Sequence, residues 1–92
     1  MKNLTLLSAF DVQQQLADAV RKKRKQRKWS RQALAERSTV PTTTIKKFET
    51  TSQISLRQFI LLWQCVDSLE GLATLTHAEK RSPRTIDEVL NS

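Results

Sequence analysis

Val12, Leu16, Ala19 and Val20 stand four, three and one residues apart, which sets them in one stripe on a helix. Asp11 is the expected N-cap, and the helix is expected to run to about Arg27. Beyond Val20 the stripe meets a basic block, with seven Lys or Arg among the eight residues 21–28. That end cannot be deeply buried, and cations in a last helical turn suit the helix dipole. Ser30 caps a short second helix over residues 31–37, with Ala33, Leu34 and Ala35 able to pack inward. Residues 38–40 form a turn, and Pro41 fits the first position of a third helix, where its missing N–H costs nothing.

The third helix is expected over residues 41–49. It buries Ile45 and Phe48 and turns Thr42, Thr43, Lys46 and Lys47 to another face. Threonines are poor autonomous helix formers, so propensity does not account for them there. After a polar loop at 50–54, Ser55 caps a fourth helix over 56–67, and a fifth short one covers 69–75. The fourth carries Leu56, Phe59, Ile60, Leu61, Leu62, Trp63, Cys65 and Val66, apolar around most of its circumference. Such a helix must be covered on more than one side, and a second subunit is the expected cover beyond the core. Residues 77–84 read as a polar linker. Thr85-Ile86-Asp87-Glu88 matches a capping box for one last helical turn over 86–90.

A chain of 92 residues has room for one domain and buries only about 60% of its unfolded surface. One Gly, two Pro and many Ala, Leu, Gln, Lys and Arg agree with an all-α fold. Sixteen Lys and Arg against nine Asp and Glu give a net charge of +7 and point to a polyanionic partner. Cys65 is alone, so no intrachain disulfide forms, and its apolar surroundings suit a buried reduced thiol. His77 has no ligand-spaced companions, and neither a Gly-rich phosphate cradle nor a nucleophile–base pair is found. No metal, cofactor or enzymatic activity is expected. The segment 1–10 is too short for a signal peptide, and the longest apolar run, 59–63, is far below a membrane span. A cytoplasmic protein that does not engage membranes is the expectation.

Two short helices joined by three residues, the second opening on small polar side chains, suit entry into a DNA major groove. That groove is about 12 Å wide and admits one helix, whose first residues reach the base edges. Thr42 and Thr43 let the backbone approach closely, and Lys46 and Lys47 can reach guanine or a phosphate one turn on. A generic surface helix in a bundle would not explain poor helix formers on the outward face.

Three stretches carry a resemblance: Gln15-Leu16-Ala17-Asp18-Ala19-Val20; Trp29-Ser30-Arg31-Gln32-Ala33-Leu34-Ala35-Glu36; and Val40-Pro41-Thr42-Thr43-Thr44-Ile45-Lys46-Lys47-Phe48-Glu49. Together they resemble the lambda-repressor/Cro type of helix-turn-helix over residues 15–75. The resemblance implies five helices, a dimer on double-stranded operator DNA and no enzymatic activity. It divides the chain into an N-terminal extension (1–10), a helix-turn-helix domain (11–75, reading motif 31–50) and a polar tail (76–92). By position it implies that Arg31 holds a phosphate from the start of the second helix. Thr42, Thr43, Lys46 and Lys47 fall on the base-reading face, and Thr50 and Ser52 lie where the family's loop meets backbone phosphate. Arg24, one turn from the end of the basic helix, could touch DNA, but the resemblance implies an ion pair between it and Glu49. Lys22, Lys25 and Lys28 are open between phosphate contact and solvated charge.

Within the family the chain looks most like HipB-type antitoxins, which implies repression of its own operon and binding to a HipA-type serine/threonine kinase toxin. Where the family often has Gly, this chain has Lys28, Thr39 and Thr51. A β-branched residue resists positive φ, so a differently shaped turn is expected at Thr39. Leu61 and Trp63 replace residues that are often polar and small. Three rival readings are a toxin-restraining interaction module with DNA binding secondary or lost, a stand-alone phage-type repressor, and a basic amphipathic helix at 11–28 for membranes or acidic proteins. The last is weakened because only its first half has an apolar stripe.

Overall fold

Ser8 starts the first helix. Its Oγ accepts from the Asp11 N–H at 3.1 Å, while Asp11 Oδ2 accepts from the Ser8 N–H at 3.0 Å. This reciprocal box satisfies two backbone donors at once, so α1 begins at Ala9 and Asp11 lies inside it rather than at its N-cap. The computed structural model describes residues 6–77; the expected linker at 77–84 and helical turn at 86–90 fall outside them, apart from His77. Within the described residues the chain is all-α: α1 (Ala9–Gln26), α2 (Arg31–Ser38), α3 (Thr42–Thr51), α4 (Leu56–Val66) and α5 (Glu70–Ala73), the last followed by a 3-10 turn at Thr74–Thr76. None of these helices is long and apolar enough to cross a membrane.

Ser30 and Ser55 cap α2 and α4 as expected, each hydroxyl accepting from the backbone N–H three residues on. Pro41 is the N-cap of α3 and not its first turn. Its backbone is extended, at ψ 146°, while its carbonyl accepts from Thr44 and Ile45. At its other end α3 continues through Thr50 and Thr51, whose hydroxyls donate back to the carbonyls of Lys46 and Lys47. The polar loop is thereby shortened to residues 52–55. The fifth helix is shorter than expected, because Thr74 and Thr76 turn their hydroxyls onto the carbonyls of Gly71 and Ala73. Local side-chain bonds of this kind compete with helix continuation.

The core joins Ala17 and Val20 of α1, Leu34 of α2, Val40, Ile45 and Phe48 around α3, and Phe59, Leu62 and Val66 of α4. Phe48 and Phe59 meet edge to face at its centre, with ring centroids 6.0 Å apart. The stripe expected on α1 is rotated: Ala17 takes a buried position, while Val12 is 40% exposed. α1 packs on α3 and α4, and α2 packs on the same two helices. In α4 only Phe59, Leu62 and Val66 are buried. Ile60, Leu61, Trp63 and Cys65 are half-covered, and Leu56 is 75% exposed. Among the described residues, part of this helix is therefore left uncovered. Burial pushes the Cys65 thiol up, and the nearby Arg37 charge partly opposes it.

The turn into α3 corrects another expectation. Thr39 adopts the left-handed conformation, φ 65° and ψ 10°, and closes α2 with its N–H on the Ala35 carbonyl at 2.8 Å. Its own hydroxyl donates to the Ser38 carbonyl, and Ser38 Oγ accepts from the Val40 N–H. These bonds hold a β-branched residue where glycine would ordinarily sit, so the turn keeps the usual left-handed C-cap shape without one. Lys28 and Ser52 also have positive φ; after α3 it is Ser52, not Thr51, that takes the left-handed position. Left-handed backbone costs an L-residue roughly 1–2 kcal/mol, of which glycine's extra unfolded freedom returns part. Thr39→Gly is accordingly expected to raise unfolding free energy by up to about 1 kcal/mol in urea titrations. A loss of stability would show that the hydroxyl bond outweighs the strain.

Candidate nucleic-acid interface

Thr43, Lys46, Lys47 and Thr50 recur at helical spacing, and all four are exposed along one face of α3. Ile45 and Phe48, both essentially solvent-free, anchor the opposite face in the core. Thr42 lies at the flank, half-buried, and its hydroxyl donates to Gln32 Oε1 at 2.9 Å. That bond joins the first turn of α3 to the first turn of α2. Sequence inspection passed over Gln32, because a contact between residues ten apart on different helices leaves no local pattern. Ser52 does not join the exposed face: it is buried, and its carbonyl accepts from Gln13 Nε2 at 3.1 Å.

Arg31 opens α2 half-exposed and is not a free cation. Its Nε donates to Glu49 Oε1 at 2.9 Å. Glu49 also receives Arg24 in a bidentate pair, Nε to Oε2 at 2.8 Å and Nη2 to Oε1 at 2.9 Å. The third corner of the Arg24 guanidinium, Nη1, donates to the Trp29 carbonyl at 2.8 Å. The pairing of Arg24 with Glu49 implied by the family resemblance is present, and Arg31 extends it to a three-residue network. The Glu49 side chain is 1% exposed, against 35% for Arg31. Burial pushes the Glu49 carboxyl up, but the hydrogen bonds and charges of Arg24 and Arg31 outweigh it and hold its pKa below the ordinary value.

Both tryptophans are occupied by neighbours. Arg37 lies 4.4 Å from the Trp29 ring centre and Arg27 5.7 Å, while Trp63 packs on Phe59 and under Lys23. Neither is built as an open platform for base stacking. Beside the C-terminal end of α3 an open cleft of about 370 Å³ is lined by Asp11, Gln14, Gln15 and Asp18 of α1 and by Thr50. The arrangement as a whole can present one helix face, bearing two lysines and two threonines, to a groove, with a tethered arginine beside it.

Removing one partner of a buried ion pair strands the other, at a cost of several kcal/mol. Glu49→Gln is expected to lose roughly 3 kcal/mol of unfolding free energy at pH 7. Because the folded pKa of Glu49 is depressed, its contribution is complete above the unfolded glutamate value and lost as pH falls through the folded one. The stability gap between wild type and Glu49→Gln should therefore close as urea titrations move from neutral pH into that acid range. A gap independent of pH would rule out this role for the carboxylate. Compared with family models, with curated proteins and with solved structures, the chain finds no match.

Proposed function

We propose that this chain is a sequence-specific DNA-binding repressor of the lambda-repressor/Cro type, which places α3 in the major groove of operator DNA as one half of a homodimer. The observation that carries the reading is the exposed line of Thr43, Lys46, Lys47 and Thr50 on a helix anchored by Ile45 and Phe48. A net charge of +7 favours a polyanionic partner, and the two-helix turn matches the geometry that such a groove admits. Lys46 and Lys47 serve as base or phosphate contacts, Thr42 and Thr43 allow close approach, and Arg31 and Thr50 address the backbone. The resemblance to HipB-type antitoxins extends the proposal to autorepression of an operon shared with a HipA-type kinase toxin, in the cytoplasm. The homodimer rests on the flank of α4 that the described residues leave partly uncovered, where Leu56 is mostly exposed and Ile60, one turn on, is half-covered.

Replacing Lys46 or Lys47 by Ala should cost about 1–3 kcal/mol of operator affinity if that side chain reads a base. The double variant Thr42→Ala/Lys47→Ala should lose preference for the operator over a scrambled duplex in anisotropy titrations. Unchanged affinity and preference would show that another surface reads the DNA. Sedimentation should find a dimer that Leu56→Asp converts to a monomer, with weaker operator binding; a wild-type monomer would remove the paired reader.

A further inference from the structure

The basic residues of this chain are sorted by the fold into occupied and unoccupied ones. Arg24 spends all three corners of its guanidinium on Glu49 and Trp29. Lys23 is paired with Asp67 at 2.9 Å, and Arg27 lies against Trp29. Arg21 and Lys25, by contrast, are exposed and make no side-chain hydrogen bond, ion pair or ring contact among the described residues. They continue a line that begins at Asp11 and passes through Gln14 and Asp18, at steps of three and four residues along one flank of α1. The first half of that flank walls the cleft beside α3, so the line follows the reading side of the molecule. Lys23 lies on the opposite flank, toward Trp63 of α4 and Asp67, and the Arg27 charge acts on the same Asp67 carboxylate.

The flank thus changes sign between Asp18 and Arg21. A DNA backbone passing beside α3 meets carboxylates at one end and uncompensated cations at the other, within the ~10 Å over which charge is felt at 0.1 M salt. Arg31 strengthens the cationic end: Glu49 binds its Nε and leaves its two Nη groups without a partner among the described residues. We propose that the phosphate backbone bordering the groove runs across α1 at Arg21 and Lys25, next to Arg31, and that Asp18 keeps it out of the cleft. This rests on the DNA-binding reading above and assigns the surface that reading leaves open.

Two double variants with the same loss of two positive charges separate a local seat from general attraction. Arg21→Gln/Lys25→Gln should lower the slope of log K against log salt by about two, on operator and scrambled duplex alike. Lys23→Gln/Arg27→Gln, checked as folded by circular dichroism, should leave the slope nearly unchanged. Asp18→Asn alone should tighten binding to both duplexes. Equal effects of the two double variants, with sequence preference intact, would overturn the seat but not the reading. Failure of the wild type to bind either duplex at low salt would overturn both.

Discussion

Glu49 carries a negative charge at the end of α3 with almost no access to water, and a carboxylate so placed must be paired and hydrogen-bonded to be tolerated. Two guanidinium groups meet that demand from two other helices, Arg24 from α1 and Arg31 from α2. The helices α1, α2 and α3 are thereby locked at one point, close to where α1 ends and α2 begins. Apolar packing alone, through Ile45 and Phe48, holds α3 against the core but leaves its rotation to the fit of side chains. The carboxylate adds direction, because a bidentate guanidinium pair has a fixed plane. Arg24 also holds the Trp29 carbonyl, so the same residue shapes the connection that presents Arg31.

Three of the helices end on non-glycine residues at or next to left-handed backbone: Lys28, Thr39 and Ser52. Each such residue costs free energy that glycine would not, and each is held by the bonds around it. The tight corners after α1, α2 and α3 are therefore held by short-range bonds around these residues, against the backbone preference of the residues themselves. Thr39 shows this most directly, since its β-branch opposes the conformation that the turn into α3 requires.

The core is small and gathers around the aromatic contact of Phe48 with Phe59. That contact ties α3 to α4, the helix whose apolar residues exceed what the described residues cover. Leu56 and the half-covered residues on the same flank belong to α4, and the exposed lysines to α3.

Much of this fold could be read from residue order. Ser30 and Ser55 announced their helices through their own hydroxyl chemistry, and Ile45 and Phe48 were legible as anchors from their spacing. The exposed residues of α3 followed from the same periodicity, since a helix face is a local property. Asp11 was misplaced because a capping box and a simple N-cap use the same residue types, and only the backbone bonds tell them apart. Pro41 was placed one position inside α3 because its fixed φ suits either site. The partnership of Arg31 with Glu49, the bond from Thr42 to Gln32 and the burial of Ser52 belong to tertiary structure alone. Sequence spacing determines which residues share a helix face. Which faces meet, and which charges are neutralised there, depends on how helices far apart in the chain pack together.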